Sequence, residues 1–217
     1  MGRNRQFAVL GLGRFGQSLV KTLIENNCDV LCCDKDIEIV NEMSKYGCHA
    51  IQADVTDVHV LDQFGINNFD VVVVAIGEDM EGSILATMMA KELGANFVIA
   101  KAKNEIQKSI LEKVGADRVV FPERDMGVRI ANTLITTNII DYINLSDKFA
   151  IVEIEPHKNW IGKSILDSNI RAKYGLNIVA IKRHNDIIVS PLPNEIIQKE
   201  DILVVVGRND VIQKINN

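Results

Sequence analysis

No run of about 18 apolar residues occurs in this 217-residue sequence, so no segment of it predicts a membrane-spanning helix. Nor is there an excess of positive charge. Lys and Arg number 24 against 29 Asp and Glu, a formal net charge of -5, which leaves no basic field to draw in a nucleic-acid polymer or an anionic membrane. The opening residues, Met1-Gly2-Arg3-Asn4-Arg5, lead straight into an apolar strand, without the apolar core of a secretory signal peptide. Gly2 is followed by Gln6 where a myristoylation signal needs Ser or Thr. The expected address is the cytoplasm. Cysteine is scarce, at four residues, and Cys32 and Cys33 are neighbours on a predicted strand, where successive side chains point to opposite faces and do not converge on one tetrahedral zinc. With Cys28 and Cys48 they read as reduced, structural thiols. What is present is ordinary globular composition, 47% hydrophobic and 24% charged, which predicts a folded and cored protein.

From Gln6 to Phe121 short β-branched runs alternate with amphipathic stretches. Strands are predicted at Phe7–Leu10, Val30–Cys33, Ala50–Gln52, Val71–Ala75, Phe97–Ala100 and Val119–Phe121, and continuous apolar runs of this kind suit parallel strands covered on both faces. Between them Leu19, Val20, Leu23 and Ile24 form one helical stripe, and Ile84, Leu85, Met88, Met89 and Leu93 another. The series predicts an α/β fold, a Rossmann-type doubly wound parallel sheet. After Pro122 the repeat ends. A long helical pattern is predicted from Asp125 to about Leu145, with Val128, Ile130, Ala131, Leu134 and Ile135 available to pack. From Phe149 short strands follow at Val152 and Ile154, Ile178–Ile181, Ile187–Val189 and Ile202–Val206, with a brief helix near Ile165–Ala172. That grouping predicts a small α+β C-terminal domain, with residues 1–141 forming the Rossmann domain and its connecting helix and 142–217 the second domain.

Gly11-Leu12-Gly13-Arg14-Phe15-Gly16 follows a strand, opens an amphipathic helix, and precedes an acid at the end of the next strand, which is the context that gives a G-x-G-x-x-G sequence its meaning. Gly11 allows the tight turn, Gly13 the approach of backbone to a pyrophosphate, and Gly16 close helix–sheet packing. Helix N–H groups and the positive dipole end then face the phosphates. Asp34, at the end of the second strand, is placed to accept hydrogen bonds from ribose hydroxyls and would repel a 2′-phosphate, so NADP is disfavoured while NAD, ATP, ADP and AMP remain. Asp54, at the end of the third strand, either reaches an adenine amino group or caps a surface helix. Arg14 is a long cation inside the loop, able to reach a terminal phosphate that a dinucleotide lacks, which tilts the choice toward ATP or ADP.

An NAD-dependent oxidoreductase is the rival reading, and it needs an acid/base group beside the nicotinamide. His49, His59, His157 and His184 are the histidines of the chain, and none has an acidic neighbour in sequence that would mark it for that role. No G-x-S-x-G, H-E-x-x-H or Walker sequence appears. The expectation is a protein that is not an enzyme.

Taken together these residues resemble the RCK/KTN family, the regulatory subunits of Ktr- and Trk-type bacterial potassium uptake systems, and the Ktr type most closely. The resemblance rests on Phe7-Ala8-Val9-Leu10 with its glycine loop, Val72-Val73-Val74-Ala75-Ile76-Gly77, Gly115-Ala116-Asp117-Arg118-Val119-Val120 and Pro122-Glu123-Arg124-Asp125-Met126-Gly127. A separate match lies in Ile161-Gly162-Lys163-Ser164, Ile170-Arg171-Ala172-Lys173-Tyr174-Gly175, Val179-Ala180-Ile181-Lys182-Arg183 and Asp201-Ile202-Leu203-Val204-Val205-Val206-Gly207.

The resemblance implies a homodimer joined through connecting helices and assembled as an octameric ring beneath a membrane potassium-translocating subunit, peripheral to the inner face of the membrane. It implies competition of ATP and ADP for the Rossmann site, with NAD or NADH as the other occupants that residue chemistry allows. The nucleotide-binding set is then Gly11, Gly13, Arg14, Phe15, Gly16, Asp34, Lys35, Asp54, Val55, Ile76 and Gly77, with Arg14 meeting the γ-phosphate. Glu123 matches an acid that binds a divalent cation, magnesium or calcium, at an intersubunit nucleotide site. In the second domain the resemblance implies cyclic di-AMP as effector, with Arg171, Asn177, Ile178, His184, Pro191 and Pro193 as the candidate pocket. Arg171 reads equally as a surface salt-bridging residue, the prolines as guards of an edge strand, and Glu123 as a helix-terminal acid.

Overall fold

A computed structural model of the chain describes residues 4–135, 139–146 and 148–212. Met1, Gly2 and Arg3, on which the reading of the chain start partly rests, lie outside the described residues, as do residues 136–138 within the long helical pattern. The described chain forms two compact units, Met1–Pro122 and Glu123–Asn217.

In the first unit β1 (Gln6–Leu10), α1 (Arg14–Glu25), β2 (Asp29–Asp34), α2 (Ile37–Ser44), β3 (His49–Gln52) and α3 (Val58–Gln63) are followed by β4 (Val71–Val74), α4 (Met80–Glu92), β5 (Val98–Lys101), α5 (Glu105–Lys113) and β6 (Arg118–Val120). The strands pair in parallel in the order β3-β2-β1-β4-β5-β6. Alternation along each strand divides the core. Phe7, Val9, Val30, Cys32, Val71 and Val73 face one side with Val20 of α1 and Val40 and Met43 of α2. Ala8, Leu10, Cys33, Val72, Val74, Val98 and Ala100 face the other with Leu61, Ala86, Met89, Ala90 and Leu111 from α3, α4 and α5. Burial on both sides is why these runs are apolar without a polar alternate. The chain reverses direction across the sheet between β3 and β4, which puts the topological switch point between β1 and β4, where open α/β sheets bind ligands at the carboxyl ends of the strands.

The helix α6 (Pro122–Ile135) is shorter than the sequence pattern predicts. The run to Leu145 is corrected: β7 (Ile139–Asn144) is a strand, antiparallel to β8 (Phe149–Ile154). Ladder pairing with β8 and burial of Tyr142 override the helical spacing, and Arg129 of α6 donates from Nε to Asp141 Oδ1 at 2.9 Å. A domain boundary at 141/142 would fall inside β7, whereas the compact units divide between Pro122 and Glu123.

The second unit is a five-stranded antiparallel sheet, β10-β9-β11-β8-β7, with β9 at Asn177–Arg183, β10 at Asp186–Val189 and β11 at Ile202–Arg208. The predicted single helix near Ile165–Ala172 is two short ones, α7 (Ile165–Ser168) and α8 (Ile170–Tyr174), parted by Asn169 at φ +53°. With α9 (Asn209–Ile212) they cover a core of Val152, Ile154, Trp160, Ile170, Leu176, Ile181, Leu203 and Val205. No helix among the described residues is long and apolar enough to cross a membrane.

Candidate functional site

The loop from β1 to α1 sets up the first site. Gly11 turns at φ +98°, and a Cβ there would sit 3.2 Å from the Ala75 carbonyl carbon and the Ile76 nitrogen, so β1 approaches the end of β4 more closely than a side chain permits. A Cβ on Gly16 would stand 2.1 Å from the Gly11 carbonyl oxygen, which makes glycine a packing requirement there. Gly13 is different. It occupies the N-cap of α1, and a Cβ there would meet nothing within 4 Å.

Every other α-helix fully inside the first unit is capped by a side chain: Asp36 accepts from Glu38 N–H, Asp57 from His59 N–H, Asp79 from Gly82 N–H and Asn104 from Gln107 N–H. At α1 no side chain caps the helix and its first turn carries no acid. Its leading N–H groups therefore remain free of side-chain partners, next to open space and at the positive end of the helix dipole. An anion placed there gains both hydrogen bonds and favourable charge.

A cavity of about 400 Å³ opens at this carboxyl edge, lined by Gly11, Gly13, Cys33, Asp34, Lys35, Ala53, Val55, Thr56 and the stretch from Ala75 to Asp79. Of the residues predicted from sequence it brings together Gly11, Gly13, Asp34, Lys35, Val55, Ile76 and Gly77. Asp34 Oδ2 accepts from Leu12 N–H at 2.6 Å while Oδ1 accepts from Asp36 N–H at 3.0 Å, so the carboxylate is fixed to the glycine loop with lone pairs left over for a ribose. Lys35 reaches Asp54 Oδ2 at 3.2 Å.

Asp54 lies beside the cavity without lining it. Hydrogen bonds from the Thr56 hydroxyl (2.6 Å) and Thr56 N–H (2.9 Å) hold its carboxyl below the ordinary aspartate range. It caps no helix, since α3 is capped by Asp57. Arg14 is exposed at the first position of α1, and its guanidinium makes no hydrogen bond or ion pair among the described residues. The Phe15 side chain is not in this cavity. It joins Leu19 and Leu23, spaced four apart along α1, in a separate groove of about 650 Å³ on the sheet face with Phe7, Val73, Ile99 and Val120. Sequence reasoning missed Thr56, Glu78 and Asp79. Their signal was position, each following a strand end at the carboxyl edge of the sheet.

Glu123 sits in the first turn of α6, beside Asp125. The described residues bring together no group of three His, Cys, Asp or Glu side chains suited to a metal. A divalent ion at Glu123 would thus draw its other ligands from elsewhere, such as phosphate oxygens.

In the second unit a cavity of about 630 Å³ is lined by Arg171, Asn177, Ile178, Pro191 and Pro193, together with Ile165, Leu166, Asn169, Ile170, Ala172 and Leu176. Five of the six sequence candidates meet there. His184 does not line it; it occupies the two-residue turn between β9 and β10 at φ +56°, where the hairpin demands a left-handed backbone. A partly buried ion network fixes β9: Arg183 Nε donates to the buried Asp201 Oδ1 at 2.8 Å and Arg183 Nη1 to Glu195 Oε1 at 2.9 Å, with Gln198 N–H on Asp201 Oδ2 at 2.8 Å.

A parallel six-stranded sheet with a bare helix N-terminus over a glycine loop, followed by a small antiparallel domain with its own cavity, defines a Rossmann-type nucleotide-binding fold with an appended small domain. The TrkA-N domain family matches residues 7–122 and the TrkA-C domain family residues 149–217. The chain is 49% identical over 203 residues to Ktr system potassium uptake protein C of Bacillus subtilis (94% of this chain, 92% of that protein). It is 46% identical over 219 residues to Ktr system potassium uptake protein A of the same organism (100% and 99%). The chain belongs to the RCK/KTN family of Ktr-type regulatory subunits. Its fold is also that of the GsuK RCK domain, with a TM-score of 0.70 at 19% identity over 99% of this chain and 47% of that one.

Proposed function

We propose that this chain is the regulatory, non-catalytic subunit of a potassium uptake system, binding ATP and ADP in the cavity of the first unit. The observation that carries the reading is the uncapped N-terminus of α1 beside Gly13, with Asp34 fixed to the loop in position for a ribose. Arg14, exposed at the first turn, supplies the cation that a γ-phosphate attracts, and Glu123 supplies one carboxylate to a magnesium or calcium ion whose remaining ligands come from the phosphates. A nucleotide shifts the state of the assembly only by the difference in its affinity for the two states.

The second cavity is proposed to take cyclic di-AMP, with Arg171 as phosphate partner and Asn177, Pro191 and Pro193 as its walls. The partners are a second copy of this chain, further copies in a ring, and a membrane potassium-translocating subunit, which would hold the chain at the inner face of the membrane. Two apolar surfaces support self-association: the sheet-face groove of the first unit, and the α6 stripe of Met126, Ile130 and Leu134, which are 50%, 51% and 79% exposed.

Competitive calorimetry with ATP, ADP, NAD and NADH tests the nucleotide reading. ATP and ADP are expected to bind the wild type, Asp34→Ala to abolish binding, and Arg14→Ala to lose affinity for ATP more than for ADP. NAD binding far above ATP together with measurable hydride transfer would overturn it in favour of an oxidoreductase. Equal losses for ATP and ADP in Arg14→Ala would remove Arg14 from its role.

A further inference from the structure

On the α1/α2 face of the sheet two thiols stand in contact. Cys32 Sγ on β2 lies 3.4 Å from Cys48 Sγ, and Cys48 lies one residue before β3, on the face of Ala50, the register partner of Cys32. Cys33 faces the opposite core, and Cys28, though packed against the same core as Cys32, has the Asn26 carbonyl as its sulfur contact. Cys32 and Cys48 are thus the one touching thiol pair among the described residues. We infer that they form a thiol-modification site, a dithiol that exchanges with low-molecular-weight disulfides to give an intrachain Cys32–Cys48 disulfide.

The geometry requires the sulfurs to close from 3.4 Å to about 2.05 Å. The segment that moves is the turn before β3. Lys45 and Tyr46 are exposed there, and Gly47 holds φ +86° with nothing within 4 Å of its Cβ position, so no packing at Gly47 holds the turn in place. The chemistry runs in two displacements. Cys48, half-buried with its thiol on the Met43 carbonyl at 3.2 Å, attacks one sulfur of the disulfide RS–SR as its thiolate; an S–S bond forms to Cys48 and RS⁻ leaves. The Cys32 thiolate then attacks Cys48 Sγ and expels the second RS⁻. The protein loses two electrons, the reagent gains them, and both thiol protons end on the released RSH.

Burial, with the Cys48 contact adding to it, pushes the Cys32 thiol well above the usual range. Little thiolate is present for the second displacement, so closure to the intrachain disulfide is slow and the Cys48 mixed disulfide precedes it. The bond clamps the entry of β3 to the strand that carries Asp34 two residues further on.

The full-length reduced protein, incubated in glutathione buffers of rising glutathione disulfide and then alkylated and mapped by mass spectrometry, tests the site. The expected result is a Cys32–Cys48 linked peptide, lighter by two hydrogens, with two of the four thiols lost to alkylation. Cys32→Ser should stop at one glutathionyl adduct on Cys48, with Cys32→Ala run beside it in case a buried hydroxyl disturbs the core. Cys48→Ser should leave its three thiols alkylatable. The inference is overturned if the wild type ends as an adduct without the linked peptide, or if Cys28 replaces Cys32 in the link.

Discussion

Gly13 and Gly16 stand three residues apart and answer opposite demands. At Gly16 the space for a side chain is taken by the Gly11 carbonyl oxygen, 2.1 Å from where a Cβ would lie; at Gly13 that space is empty. Gly16→Ala should therefore destabilise the first unit by about 3 kcal/mol, the upper range for forcing atoms into a packed site. Gly13→Ala keeps an allowed backbone, φ -63° and ψ -179°, and should cost less than about 1 kcal/mol as an N-cap change. Nucleotide affinity should respond in the other order, with the stable Gly13→Ala chain losing at least about tenfold, or about 1.4 kcal/mol, because the new methyl occupies the phosphate approach. Urea denaturation beside ATP titration checks both, and a Gly13→Ala chain that binds as wild type would remove the loop from the site.

Among elements, the inner parallel strands β1, β2, β4 and β5 were legible because burial on both faces leaves each with an apolar run, and α1 was legible from its stripe and glycine loop. The strand β7 was not. Its partner β8 decides it, and Ile139-Ile140-Asp141-Tyr142-Ile143-Asn144 continues the apolar spacing of α6 well enough to read as helix until the ladder is seen. The same holds at the sites. Asp34 and the glycines are marked by spacing, whereas Thr56, Glu78 and Asp79 enter the cavity through loops whose path no periodicity encodes. The turn that carries His184 was readable: two residues between two β-branched runs make a hairpin tip, which lies outside the cavity lining of its own chain.

The β9–β11 pairing rests on an element-scale device, the Arg183–Asp201 pair. Burial raises the Asp201 carboxyl, but Arg183 and the Gln198 N–H outweigh it and hold the group below the usual range, while Asp201 holds the Arg183 guanidinium well above its own. A carboxyl depressed in the folded state stabilises above its unfolded pKa, about 3.9, and that contribution is lost as pH falls through the folded value. Stability of the second unit should thus drop in acid below about pH 4. Asp201→Asn should cost about 1–3 kcal/mol at neutral pH and give a shallower acid dependence, since the partly exposed Arg183 keeps Glu195 but loses its main partner. Denaturation followed at Trp160 between pH 7 and pH 3 reads this unit alone; an unchanged slope in the variant would assign the acid response to other carboxylates.

For the molecule as a whole, regulation requires that the two units feel one another. Trp160 is the only tryptophan in the chain, buried in the second unit and edge-on to Tyr174 of α8, the helix that presents Arg171 to the cavity. Its fluorescence is a local reporter. Cyclic di-AMP should change it directly, and Arg171→Ala should abolish that change while leaving ATP affinity intact. The proposed nucleotide cavity belongs to the first unit and Trp160 to the second, so an ATP-dependent change at Trp160 reads a response of the second unit. If ATP and ADP favour different states, they should drive Trp160 to different endpoints at saturation. Moving a two-state assembly from 1:99 to 99:1 takes about 10⁴-fold discrimination, or about 5.5 kcal/mol, which one site supplies with difficulty and several linked sites share. The ATP–ADP difference should therefore shrink when the chain is diluted to its smallest soluble assembly. A difference that survives dilution unchanged would place the switch within a single chain, and identical endpoints for both nucleotides would leave the first site a nucleotide-binding platform without a regulatory output.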